Sequence, residues 1–199
     1  GRVTVADVMD FIREQSEAEL LSHAGLREEE DIFAPVLDSV KNRWAWLAVN
    51  LVTAFVASRV IGVFEGSIEK LVALAALMPI VAGIGGNSGN QTITMIVRAL
   101  ALGQVQQESA RVLLRKEIGV AMVNGLIWGS LLGFVAWWLY RSVALGAVMT
   151  AAMMLNRIVA ATVGVAVPLL RQRLGYDPAI GSSVLITAVT DSGGFFIFL

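Results

Sequence analysis

Apolar residues fall into five long stretches divided by short polar breaks. A hydrocarbon layer about 30 Å thick needs about 20 residues of helix to cross it. The stretches from about Trp44 to Phe64, Leu71 to Leu102, Ile118 to Tyr140, Val143 to Leu170 and Ala179 to Leu199 reach or approach that length. Trp44 and Trp46 open the first, and Trp137, Trp138 and Tyr140 close the third. Such rings anchor helix ends at the boundary between water and lipid. The pattern predicts an all-α membrane protein with five transmembrane helices. A water-soluble bundle would not carry five such runs with aromatic ends.

Ahead of the first run the pattern changes. Val5, Val8, Met9 and Ile12, then Leu20 and Leu21, recur at helical spacing among acids. Residues 1–38 hold ten acids and three arginines, net −7, whereas the rest of the chain is net +6. Residues 1–41 therefore read as an amphipathic cytoplasmic segment, too short to bury a core of its own. Residues 42–199 read as the membrane domain, its last span cut short. The acidic segment has two readings: a solvated helix packed on a domain outside this chain, or a surface that senses divalent ions at a pore mouth. Lys41 and Arg43 precede span one, Arg111, Arg115 and Lys116 follow span two, and Arg171 and Arg173 follow span four. The alternate loops carry little positive charge, which predicts a cytoplasmic N-terminus. No signal peptide is visible. The chain opens on Gly1 and stops at Leu199 inside an apolar run, so both ends are expected to be cut points.

Composition agrees: 56% of residues are hydrophobic and 16% charged, against about a quarter charged in soluble domains. With no cysteine, thiolate metal centres are excluded, and the single histidine, His23, reads as a surface residue rather than a metal ligand. No nucleophile–base pair marks an enzyme, and no nucleic-acid partner is expected.

Candidate chemistry lies in span two, at Pro79 through Thr92, where Gly83, Gly85, Gly86 and Gly89 alternate with Asn87, Ser88, Asn90 and Gln91. The spacing completes neither a dinucleotide fingerprint nor a phosphate-binding loop. Lipid satisfies no polar group, so this run must face protein or water. Magnesium prefers oxygen ligands and gives up its water reluctantly, so neutral amide and carbonyl oxygens beside a wet passage suit it. Gly85 and Gly89 also form a GxxxG pair, which serves helix packing. Asp191 lies in the last span, flanked by Ser183, Thr187 and Thr190. A carboxylate inside a span needs a compensating partner: a cation in a pore is one, and a helix cap near the interface is the other reading. Arg157 with Asn156 falls midway along span four, where it would pair with an acid or face a water-filled groove; the ion pair is the expectation, since a cation lining the path would repel the ion. Glu117 reads as a cytoplasmic interface residue.

At these residues the chain resembles the MgtE family of magnesium channels. The block Pro79–Gln91 matches Pro-x-x-x-Gly-x-Gly-Gly-Asn-x-Gly-x-Gln and is followed by Arg98-Ala99-Leu100-Ala101. A second block, Leu174-Gly175-Tyr176-Asp177-Pro178-Ala179, leads to Thr190-Asp191 and Gly194-Phe195-Phe196. The resemblance implies a homodimer in the bacterial inner membrane with one pore on the two-fold axis, lined by spans two and five. It implies that Asp191 holds hydrated Mg²⁺, that Thr187 contributes a backbone carbonyl, and that Gly86, Asn87, Gly89 and Asn90 lie on the filter side. Residues up to about Arg13 would be the tail of a CBS regulatory domain, and the stretch to about Lys41 a connecting helix that plugs the pore. Mg²⁺ would then be both cargo and regulator, with Mn²⁺, Co²⁺ and Ni²⁺ as further candidates. Arg157 stands where an apolar residue is expected. A divalent-cation transporter coupled to Na⁺ or H⁺, and a non-conducting magnesium sensor, are the alternative functions.

Overall fold

The computed structural model describes residues 4–5, 7–12, 14, 33, 35–105 and 109–199, with Lys70 described by its backbone alone. His23, Glu28, Glu29 and Glu30, and with them most of the expected connecting helix, lie outside the described residues. The order is α1 (Val36–Val63), a short α2 (Glu65–Lys70), α3 (Ala73–Ala101), α4 (Ala110–Tyr140), α5 (Val143–Arg173) and α6 (Ser182–Phe198). No strand occurs among the described residues. Helices α1, α4 and α5 are long and apolar enough to cross a membrane. Helix α3 has 29 residues, about 43 Å at 1.5 Å per residue, but its centre is polar; α6 has 17.

The helices start and stop for local reasons. Helix α1 begins eight residues before Trp44, because Val36–Arg43 continues the same helix after Pro35. Pro35 supplies no N–H and fits a helix start. Ser142 caps α5, its hydroxyl accepting from the Leu145 N–H at 3.2 Å. The second sequence block forms the connector between α5 and α6. Gly175 and Gly181 both have left-handed backbone, φ +76° and +75°, which glycine adopts without steric cost. Between them the Arg171 Nε donates to the Asp177 carbonyl at 2.9 Å, and Asp177 Oδ1 accepts from the Ala179 N–H at 2.8 Å. This turn delays α6 to Ser182, three residues later than the apolar run alone predicts. Near the chain start, the Thr4 N–H and hydroxyl donate to Asp7 Oδ2 at 2.8 and 2.7 Å, and the Asp7 N–H donates back to the Thr4 hydroxyl at 3.3 Å. That is a capping box with Asp in the acidic place.

The largest interface joins α4 to α5. Along α4, Glu117, Ala121, Gly125, Gly129, Gly133 and Ala136 are buried at three- and four-residue spacing, so one narrow stripe of small residues faces α5. A Cβ at Gly129 would lie 3.0 Å from the Thr150 carbonyl oxygen, and one at Gly133 would strike the Thr150 hydroxyl and the Gly146 carbonyl. That closeness lets Thr150 Oγ1 reach the Gly129 carbonyl at 3.1 Å while keeping its own-helix bond to Gly146 at 3.0 Å. Helix α5 in turn packs on α3 and α6, and α1 packs mainly on α6. Phe64 meets Phe196 there edge-on at 5.8 Å.

The apolar core has two main layers. One gathers Leu74, Leu77, Met78, Val81, Met149, Met153 and Phe198; the other is split into two clusters, Ile93, Val97, Ala179 and Ile186 on one side of α3 and Ile96, Leu100 and Val165 on another. Between them α3, α5 and α6 meet through Gly85, Gly86, Gly89, Asn156, Thr190 and Gly194, all buried. This polar waist carries the candidate chemistry.

Two outcomes follow from this packing. G133L drives a side chain into α5 backbone, an overpacking cost of about 1–3 kcal/mol, whereas G119L enters open space; the unfolding midpoint in detergent should fall for the first and hold for the second. The Thr4 N–H, then its hydroxyl, hold the Asp7 carboxyl below its ordinary range. A depressed carboxylate supports the folded state above its unfolded pKa and loses that support as pH falls through the folded value. Protection of the amides over residues 7–12, taken relative to their intrinsic exchange rates, should therefore fall only on acidification below about pH 4, and D7A should remove the dependence.

Candidate functional site

Helices α3 and α6 run antiparallel along a close seam. A Cβ at Gly86 would sit 3.6 Å from Thr190 Oγ1, and one at Gly89 would strike Ile186. Higher on the same seam, Gly85 and Gly194 both face the Asn156 side chain of α5. The Asn156 amide donates to the Val81 carbonyl at 2.9 Å and is 1% exposed. The GxxxG pair is thus a packing device, as one of its two readings holds: Gly85 accommodates α5 and Gly89 accommodates α6.

The polar residues take other directions. Asn87 and Gln91 are exposed, and Asn90 and Ser88 half-buried. The Asn90 carbonyl accepts from Thr94 Oγ1 at 2.9 Å. On α6, Ser183, Thr187 and Asp191 follow one another at four-residue spacing and are each half-buried. Thr187 donates to the Ser183 carbonyl at 2.9 Å, and its own carbonyl accepts from Thr190 Oγ1 at 3.2 Å. Asp191 makes no hydrogen bond or ion pair with any described residue. The described residues offer no group of three or more His, Cys, Asp or Glu that could hold a metal ion, and the polar neighbours of Asp191 along α6 are the neutral Ser183, Thr187 and Thr190.

One rule orders these positions. Asn87 follows Gly86, Asn90 follows Gly89, Thr187 follows Ile186 and Asp191 follows Thr190. Each polar residue is therefore one step, about 100°, beyond a residue that makes the seam. On antiparallel right-handed helices, that step turns both rows toward the same side. Asn87, Asn90, Thr187 and Asp191 thus flank one edge of the seam.

Arg157 finds no acid. It lines a groove of about 380 Å³ with Ile84, Asn87, Ser88, Gln91, Trp128, Leu131 and Leu132, and its Nε is buried without a hydrogen-bond partner. The expected ion pair does not form within the described residues; the guanidinium faces the amide side of α3. Glu117 also departs from expectation. It is 4% exposed, accepts from Thr92 Oγ1 at 3.3 Å, and has Lys116 Nζ at 3.7 Å. Thr92 packs directly on Gly164 of α5, whose Cβ would lie 3.0 Å away. Glu117 therefore ties α4 to α3 inside the protein. The spacing of Glu117 with Ala121 and Gly125 was the available signal, since it places the acid on the buried stripe.

These features define an all-helical membrane protein whose polar groups gather at one mid-height seam. Residues 78–199 match the family model MgtE, described as a divalent cation transporter, and the chain belongs to that family. It is 34% identical over 202 residues to the magnesium transporter MgtE of Thermus thermophilus, covering all of this chain and 44% of that protein. Identity to the magnesium transporter MgtE of Enterococcus faecalis is 28% over 198 residues, covering all of this chain and 44% of the relative. To that of Bacillus subtilis it is 26% over 191 residues, covering 96% and 42%. The chain thus spans less than half the length of these relatives.

The Thr92–Glu117 bond can be tested by deletion. T92V leaves the buried carboxylate without that donor, at a cost of about 1.5–3 kcal/mol for a hydrogen bond to a charged group. T92S should retain most of the stability in thermal unfolding, and T92V should lower the midpoint by several degrees.

Proposed function

We propose that this chain is the ion-conducting part of a magnesium transporter, moving hydrated Mg²⁺ into the cytoplasm along the edge of the α3–α6 seam. The observation that carries this reading is the shared edge: Asn87, Asn90, Thr187 and Asp191, a carboxylate without a partner among the described residues, follow the seam residues on one side. The naming of the relatives as magnesium transporters supports the choice of cargo.

In this reading α1, α3, α4, α5 and α6 are five spans with the N-terminus cytoplasmic, an orientation that the loop arginines and lysines support. Two copies face each other across the seam edge in the bacterial inner membrane. The two Asp191 carboxylates then balance one divalent ion, which favours Mg²⁺ over monovalent ions. The ion keeps several waters, because magnesium sheds them reluctantly. Amide oxygens of Asn87 and Asn90, with backbone oxygen from Gly86, Gly89 and Thr187, accept hydrogen bonds from those waters. The membrane potential drives entry with about 4.6 kcal/mol per 100 mV for a double charge. Residues 1–41 belong in this scheme to the cytoplasmic regulatory part, where Mg²⁺ also acts as regulator.

D191N keeps the side-chain volume and removes the charge. In vesicles carrying equal amounts of folded protein, Mg²⁺ uptake should fall to background for D191N while membrane insertion is unchanged. Uptake at the parent rate would rule out Asp191 as the ion-selecting group. Uptake by the parent that vanishes with a Na⁺ or H⁺ gradient would replace the channel by a coupled transporter.

A further inference from the structure

Asn156 is the one amide at the junction of three helices. It is 1% exposed, its Nδ2 donates to the Val81 carbonyl of α3 at 2.9 Å, and its Oδ1 is buried without a hydrogen-bond partner among the described residues. Two glycines clasp it. A Cβ at Gly85 on α3 would collide with the carboxamide, and a Cβ at Gly194 on α6 would lie 2.6 Å from Nδ2 and 3.1 Å from Cγ. Gly85 immediately precedes Gly86, and Gly194 lies three residues beyond Asp191. The carboxamide is therefore a spacer held between the two helices that carry the candidate ion ligands.

Stability alone does not favour this arrangement. A buried acceptor left unmet is a penalty, and a leucine has a similar volume with no polar atom to satisfy. A leucine is also branched and thick where the carboxamide is planar, and it cannot donate to Val81. The planar group lets two glycine backbones close on either face while its N–H fixes its own orientation.

We propose that Asn156 is a positioning residue for the ion pathway: its carboxamide sets the spacing of the α3–α6 seam, and through it the separation of the Asn87–Asn90 row from Asp191. The inference rests on the reading of that seam as the ion path. Asn156 itself touches no ion; it acts through the two helices it separates.

The chain has no cysteine, so an introduced pair reports on the seam alone. G86C/T190C places two thiols where the ideal Cβ of residue 86 is 3.6 Å from the present Thr190 Oγ1, within reach of the geometry a disulfide needs. The pair is oxidised in membranes containing the full protein, alone and with N156L, G194A or N156A/G194A added. N156L and G194A should each slow crosslinking on the order of tenfold, since small displacements of positioned groups have large effects on reaction between them. N156A/G194A should recover most of the parent rate, because the methyl at 194 occupies the vacated volume. In the same backgrounds without the cysteines, the ratio of Mg²⁺ to Ca²⁺ uptake should change with the crosslinking rate, at equal amounts of folded protein. A purely stabilising role would lower the amount of folded protein and leave that ratio unmoved. Crosslinking that ignores Asn156 overturns the inference outright. Crosslinking that follows Asn156 while uptake ignores Asp191 removes the ion-path reading instead and leaves Asn156 as a spacer of the seam.

Discussion

The hydrogen bond from the Asn156 amide to the Val81 carbonyl joins α5 to α3 in the buried waist of the protein, where no water competes for it. Around it the protein gives up large side chains. Gly85, Gly86, Gly89 and Gly194 bring three helices close enough that backbone and short side chains satisfy one another. Such bonds contribute only about 1 kcal/mol each within a membrane. Their importance lies in direction: they dictate which faces of α3 and α6 are spent on packing, and so which faces remain for oxygen atoms that need water or an ion.

The α4–α5 pair supplies the rigid wall behind this arrangement. Its contact is a stripe of small residues backed by the two bonds of Thr150, and Glu117 extends the same stripe to Thr92 on α3. A buried acid in that place links three helices at once, because Thr92 also packs on Gly164. Arg157 adds a positive charge on the far flank of α3, beside Ser88 and Gln91, in a groove that Asn87 also borders from the seam edge. The two sides of the polar run therefore differ electrically: one borders a guanidinium and the other borders Asp191.

Much of this was legible in the residues. Apolar runs of membrane length, broken by Gly103 and by the turn after Arg173, fixed the number and order of the long helices. Their ends were less legible, since Val36–Arg43 is polar enough to read as a loop yet continues α1, and the Asp177 turn holds back the start of α6. The short α2 lies in a stretch too brief to show a period. In the candidate site, the amide-and-glycine run and Asp191 stood out because such groups are costly in lipid. Which glycine meets which helix did not, because that depends on distant partners such as Asn156 and Ile186. Glu117 was misplaced for a similar reason: its charged neighbours Arg115 and Lys116 point to an interface, whereas its helical phase with Ala121 and Gly125 points inward.

Helix α1 stands apart from the rest. It is almost wholly exposed along its length, with Ala57 as its buried residue, and its principal neighbour is α6. The edge-on contact of Phe64 with Phe196 pins it there. Any movement of α1 would therefore be felt first at α6, the helix that bears Asp191, because α1 has little contact with α3, α4 or α5.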